Sequence, residues 1–276
     1  MSLFSIGQKA VVVIPVYKPL LTWHEQVSLR QCCKVLGDHP ITLIKPHALN
    51  VDGYRSYHPN FLIESFDDQY FKSTSGYNRL MLSEGFYERF LHFEFILVYQ
   101  LDAFVFKDDL SLWCEKGYDY IGAPWLGAPF KGNIFRRIAY ARKLNKAYHE
   151  NRKQEGTILP SDMQFTNRVG NGGFSLRRVK KFYKICREEK QMIAYYNLHN
   201  EHHFFNEDVF WSLETNRGYK KLKIPGYKKA VNFSIEFNPE YAFKLTRGRL
   251  PFGCHAWDLY SGFWQEILKN ESDEEI

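Results

Sequence analysis

The stretch Phe95-Ile96-Leu97-Val98-Tyr99-Gln100-Leu101-Asp102 is the most strongly apolar strand signal in the chain, and it stops on a carboxylate. An unbroken run of this kind reads as a strand covered on both faces, the habit of parallel sheets in α/β proteins. In open α/β sheets ligands bind outside the carboxyl ends of the strands, so Asp102 is a ligand-site candidate on topology alone. The plain alternative is an aspartate that starts a turn.

Upstream, Ala10-Val-Val-Val-Ile-Pro-Val-Tyr17 is a second run of the same type. Helix-forming residues from Trp23 to Leu36 follow, closed by Gly37-Asp38, and then a strand from Ile41 to Lys45. Strand, helix and strand in this order make a right-handed βαβ unit. Leu82, Phe86 and Phe90 recur at a spacing of four and predict one helix from Asn78 to His92. Downstream of Tyr118-Asp-Tyr-Ile-Gly-Ala-Pro-Trp125 the periodicity is lost until about Arg168; a helix from Ile134 to Arg152 and then a mobile loop are expected. Gly170-Asn-Gly-Gly-Phe-Ser-Leu176 leads into a helix from Arg177 to Glu189, and the acidic run Glu271 to Glu275 reads as a frayed tail.

The 276 residues suit one large domain, and a hydrophobic fraction of 45% with 25% charged residues is ordinary for a globular chain. No long uncharged apolar run offers a membrane span. Met1 to Ala10 enters the first strand without the features of a leader peptide. Five cysteines (Cys32, Cys33, Cys114, Cys186, Cys254) form neither a disulfide framework nor a zinc spacing. These features predict a cytoplasmic protein. The net charge of +6 is mild, but Lys and Arg concentrate in 131–153 and 177–187. Such surface suits phosphate-bearing ligands, acidic glycans or, as peripheral membrane contact, anionic lipid headgroups; the bland reading is a solvated helix face. Nucleic acid is disfavoured, because the aromatic residues fall in apolar segments and not among the basic ones.

Four short blocks carry chemistry: Gln100-Leu-Asp-Ala-Phe-Val-Phe106, Asn171-Gly-Gly-Phe-Ser175, Asn206-Glu-Asp-Val-Phe-Trp211 and Gly253-Cys-His-Ala-Trp257. In this order they resemble the layout of GT-A glycosyltransferases. More closely, the chain resembles the bacterial polysaccharide-type glycosyltransferase family once catalogued as a domain of unknown function. The runs that carry this are Tyr77-Asn-Arg-Leu-Met-Leu, Tyr99-Gln-Leu-Asp-Ala-Phe, Tyr120-Ile-Gly-Ala-Pro-Trp, Gly170-Asn-Gly-Gly-Phe-Ser-Leu, Asn206-Glu-Asp-Val-Phe and Pro251-Phe-Gly-Cys-His, and the resemblance spans roughly Val11 to Trp257. It implies an α/β, GT-A-like (Rossmann-like) fold: a mostly parallel central sheet flanked by helices in a single domain over 1–265. A donor-binding half would occupy about 1–125 and an acceptor and catalytic half about 126–265, with 266–276 an acidic tail. The implied reaction moves a sugar from a nucleotide-sugar donor to a glycan, glycolipid or other hydroxyl acceptor, in polysaccharide or glycoconjugate biosynthesis, with the help of Mn2+ or Mg2+.

The resemblance assigns the donor to Pro15, Tyr17, Arg79, Gln100 and Asp102, and the metal to Asp102 and His255. A divalent cation suits this chemistry because it neutralises the charge that appears on a diphosphate leaving group. Two registers against an Asp-x-Asp motif stay open: Asp102 as its first acid, which leaves Phe104 in the second place, or Gln100-x-Asp102. Asp208 is the implied base, with Glu207 as second choice, and a usable base favours inversion; acids in a first turn also simply complement the helix dipole, with Asn206 as N-cap. Asn171, Gly172 and Gly173 would let backbone approach a substrate, or form a tight turn. Trp125 and Trp257 are sugar-stacking candidates, or core residues. Two rival readings remain, a glycoside hydrolase with paired carboxylates and a non-catalytic sugar- or nucleotide-binding module.

Overall fold

The structure, a computed structural model, describes residues 9–151, 153, 156–157 and 159–274, with the backbone alone for 270–274. The expected leader-free start, Met1 to Gln8, lies outside the described residues, as do Arg152 and the last two residues of the chain. The chain begins β1 (Ala10–Pro15), α1 (Trp23–Leu36), β2 (Ile41–Pro46), β3 (Leu62–Phe66), α2 (Thr74–Met81), α3 (Glu84–Glu88), β4 (Phe95–Tyr99), β5 (Phe104–Val105) and α4 (Leu110–Glu115). It continues through β6 (Tyr120–Ile121), β7 (Pro124–Trp125), α5 (Ile134–His149), β8 (Arg168–Val169), β9 (Phe174–Arg178), α6 (Val179–Glu188), α7 (Lys190–His199) and α8 (Glu207–Ser212). Then come α9 (Tyr227–Ala230), β10 (Ser234–Ile235), α10 (Pro239–Leu245), β11 (Gly253–Cys254) and α11 (Ser261–Glu274).

A six-stranded sheet in the order β3-β2-β1-β4-β9-β6 forms the centre. β3, β2, β1 and β4 are parallel, with Val12 paired to both Ile41 and Leu97, and β9 joins antiparallel with Leu176 opposite Leu97. Alternate residues of β1 and β4 serve two cores. Val12, Ile14, Leu97 and Tyr99 share one with Leu29 and Leu36 of α1; Val11, Val13, Ile96 and Val98 share the other with Leu80, Phe86, Phe182 and Trp211. Burial on both faces explains why these strands read as unbroken apolar runs. Thr22 and Glu25 close a capping box that fixes where α1 begins.

Along the chain β2 and β3 extend the sheet to one side of β1, whereas β4 pairs with its other side. The carboxyl ends of β1 and β4 therefore border the switch point where such sheets bind ligands. A second sheet, β10-β11-β5, pairs Ile235 with Cys254 and Cys254 with Phe104. That register sets the residues just beyond β10 and β11 side by side.

Several boundaries differ from expectation. The helix expected over Asn78 to His92 is two helices, because α2 ends at Met81 with Leu82 as its C-cap and the Ser83 hydroxyl accepts the Phe86 N–H to start α3 afresh. Arg177 does not open a helix; it lies in β9 opposite Ile96, and α6 starts at Val179. The basic helix stops at His149, and the expected mobile loop carries a Lys153–Pro160 bridge and a 3-10 turn at Asp162–Gln164. Near the acidic end α11 runs over Ser261–Glu274, and its first turn docks through Trp264, which is buried beside Phe263 and Phe106. All five cysteines are free. No helix among the described residues is long and apolar enough to cross a membrane.

Candidate functional site

A cleft of roughly 530 Å³ opens at the switch point. Pro15 to Lys18 from the end of β1, Tyr70 to Thr74 leading into α2, Tyr54, Tyr77 and Gln100 to Asp102 beyond β4 all line it. Lys18, which pairs with Glu25 at 2.8 Å, and Lys72 supply positive charge in it. Four of the five donor candidates, Pro15, Tyr17, Gln100 and Asp102, thus meet in one cavity. Arg79 does not join them, since it is exposed on α2 and absent from the lining.

Beside Gln100 and Asp102 of the cleft lining, three separate segments of the chain converge at His255. His255 Nε2 lies 3.1 Å from Asp102 Oδ1 and 3.2 Å from Gln100 Oε1, while its Nδ1 lies 3.1 Å from Glu236 Oε1. The second sheet builds this: the His255 N–H bonds to the Ile235 carbonyl, and the Trp257 N–H bonds to the Asp102 carbonyl. Burial alone lowers the His255 pKa, but Asp102 and then Glu236 outweigh it and lift the imidazolium to about 10. Burial likewise opposes charge on Asp102, and His255 overcomes it to hold the carboxyl below its usual value. Of the two registers, Gln100-x-Asp102 is the one whose side chains meet His255. Phe104 instead packs against Phe106 and Trp257.

The Gly-rich segment closes the other side. Asn171 sits at φ +47, a left-handed conformation that asparagine tolerates; its Nδ2 donates to Glu236 Oε1 at 2.6 Å and its Oδ1 accepts the Gly173 N–H. A Cβ on Gly173 would stand 2.0 Å from His255 Nε2, and one on Gly172 would stand 2.0 Å from Glu207 Oε1. Glycine is required at both positions by what passes over it.

Glu207 and Asp208 have different surroundings. Both Glu207 oxygens are held by the Arg177 guanidinium at 2.9 and 3.0 Å, and the rest of that fork reaches Ser175, Tyr87 and the Gly172 carbonyl. The pair is buried and its hydrogen bonds are satisfied, which gives it a structural part. Arg177 is therefore not surface charge, as its place in a basic stretch suggested. Asp208 is partly exposed and accepts the Val209 N–H at 2.8 Å. Burial, then the Glu207 and Glu236 charges, push its carboxyl up to about 7. Asn206 makes no cap bond with its side chain. Asn78 of α2 spans the gap, donating to Asn206 Oδ1 and accepting the Glu207 N–H.

At His255 the side chains offer a divalent cation a partial donor set, and the imidazolium would have to shed its Nε2 proton to bind one. One carboxylate, one amide oxygen and one imidazole nitrogen converge, and Glu236 orients the ring from its far side, as carboxylates do for metal-binding histidines. Among the described residues no group of three or more His, Cys, Asp or Glu is arranged to hold a metal, so Gln100 would have to complete the set. Of the stacking candidates, Trp125 is partly exposed and has Gly170 against its ring, whereas the Trp257 ring is 4% exposed and packs in the core. Sequence reasoning missed Glu236 and the Arg177 pairing. The one trace of Glu236 is an acid ending the short apolar strand of Ser234-Ile235; Arg177 left none, since a basic residue before a helix looks solvated.

A mostly parallel sheet flanked by helices, with its cleft at the strand switch point, defines a GT-A-like α/β protein. The chain belongs to the family described as protein of unknown function DUF5672, whose model matches residues 60–255. Among solved structures, the galactosyltransferase LgtC in complex with donor and acceptor sugar analogs is similar at a TM-score of 0.50 and 14% identity, with 89% of this chain and 86% of that one covered. Core-mannan synthase A of Aspergillus fumigatus in its Mn/GDP form matches at 0.48 and 10% identity, covering 83% of this chain and 75% of its own. Mouse xyloside xylosyltransferase 1 matches at 0.48 and 10%, covering 88% and 96%. No curated protein sequence matches.

Proposed function

We propose that this chain is a nucleotide-sugar-dependent glycosyltransferase that transfers a sugar to a hydroxyl of a glycan or glycolipid, in polysaccharide or glycoconjugate biosynthesis. The observations that carry the reading are the switch-point cleft, lined by Lys18, Lys72, Gln100 and Asp102, and Asp208, whose carboxyl is pushed up to about 7 by burial and by the Glu207 and Glu236 charges. A base of that pKa is half-ionised at neutral pH, where it can take a hydroxyl proton.

The nucleotide would lie against Pro15 to Lys18, with Lys18 and Lys72 near the phosphates. Asp208 would accept the proton of the acceptor hydroxyl as its oxygen bonds to the anomeric carbon. The bond from that carbon to the diphosphate breaks, and the nucleoside diphosphate leaves with the electron pair. A single displacement of this form inverts the anomeric centre. The buried, unpartnered Glu236 Oε2 has room in its bonding for one sugar hydroxyl. Asp102, His255 and Gln100 would hold Mg2+ or Mn2+, which neutralises charge on the diphosphate.

Donor binding falls to about 1–125, which supplies the cleft lining, and acceptor binding and catalysis to about 126–265. Five free cysteines suit a reducing, cytoplasmic setting. The test is a thermal-shift screen of nucleotide sugars with Mg2+ or Mn2+, followed by turnover assays with the donors that bind. A donor that raises the melting point and is consumed only with an acceptor supports the reading. Binding with no transfer over a broad acceptor panel would favour a non-catalytic module instead.

A further inference from the structure

The helix α5 has one face with no part in the cleft, and that face combines exposed apolar and basic side chains. Ile134, Phe135 and Ile138 are 60%, 78% and 45% exposed, and Phe130 just before the helix is 39% exposed. Ile134 and Ile138 are one turn apart with Phe135 beside them, so the three form one outward ridge. The opposite face is anchored: Ala147 and Tyr148 are buried, the Tyr148 hydroxyl donates to the Leu213 carbonyl, and Arg168 and Arg217 lie over the Tyr148 ring. The ridge is therefore turned away from the core by packing. From Tyr120 to His149 the chain carries Lys131, Arg136, Arg137, Arg142, Lys143 and Lys146 and no Asp or Glu.

We propose that the outward face of α5 docks on an anionic lipid bilayer, with Phe135 and its neighbours entering the headgroup boundary and Arg142 and Lys143 among the basic residues that meet acidic headgroups. Charge decides the occupant. A second copy of this chain would set a run of like charge against itself, whereas an anionic surface is complementary to it, Lys146 being already paired with Glu150 at 3.7 Å. A basic helix with bulky apolar residues on one side is the form that lies in a membrane interface. This inference goes beyond sugar transfer and does not depend on it.

The test is co-sedimentation of the whole chain with phosphatidylcholine vesicles and with vesicles that also contain one third phosphatidylglycerol, at low and high salt. Wild type should bind the anionic vesicles, release them at high salt and ignore the neutral ones. Arg142→Glu with Lys143→Glu should weaken binding by at least about 20-fold, since each basic residue near such a surface is worth roughly fivefold. Phe135→Ala with Ile138→Ala should weaken it by roughly tenfold. All four positions are exposed, so an unchanged melting temperature will certify both variants. Binding to neither vesicle, equal binding to both, or variants that bind like wild type would overturn the proposal. So would self-association of the wild type that Phe135→Ala abolishes in the absence of vesicle binding.

Discussion

Glu207 and Asp208 are adjacent in sequence, and their surroundings predict opposite results on substitution. Glu207 neutralises a fully buried guanidinium, so Glu207→Ala leaves Arg177 charged and unpaired and should cost about 3–5 kcal/mol, read as a lowered midpoint in denaturant titration. Asp208 has its pKa raised in the fold from an ordinary 3.8 to about 7. Between those values the native state binds the proton and the unfolded chain does not, so stability falls as pH rises from about 4 to about 7 and stays reduced above it. Asp208→Asn removes that loss, and its melting temperature should exceed wild type by more at pH 8 than at pH 4. The same pKa governs the proposed reaction: kcat/KM should climb with pH and level off above about 7, since the base works ionised. A pH-independent difference in melting temperature would contradict the assigned shift.

At the scale of elements, the site depends on the β10-β11-β5 sheet, which brings Glu236, His255 and Asp102 together from three distant segments. Gly173 sits where that assembly meets the loop after β8. Gly173→Ala puts a Cβ on His255 Nε2 and Gln100 Oε1 and should abolish donor-induced thermal shift, while the central sheet still folds cooperatively. Retained donor binding in that variant would show that His255 lies apart from the donor site. The strands of the central sheet were legible because burial on both faces writes itself as a continuous apolar run. The two-residue strands of the small sheet are too short to show a period, which is why Glu236 escaped notice. The break at Ser83 was hidden because Leu82, Phe86 and Phe90 are all buried at helical spacing whether or not the helix is continuous. Asp102, Asp208 and His255 stand in local motifs, whereas Glu236, which meets His255, and Arg177 and Asn78, which reach the start of α8, come from other elements that no local motif reveals.

For the molecule as a whole, the GT-A-like fold places a cleft at the strand switch point, and the chemistry rests on what that cleft binds. Asp102→Asn should fold normally yet weaken nucleotide-sugar affinity, measured by calorimetry, because the cleft loses its carboxylate beside His255. Unchanged affinity would move the donor elsewhere. The central claim, that Asp208 is the base of a sugar transfer, is tested most directly by comparing turnover of Asp208→Asn and wild type with one donor and acceptor, alongside donor binding by thermal shift. Turnover should fall by about two to four orders of magnitude with donor binding retained, because general-base help acts in the transition state. A folded, donor-binding Asp208→Asn protein that transfers sugar at the wild-type rate would contradict the account.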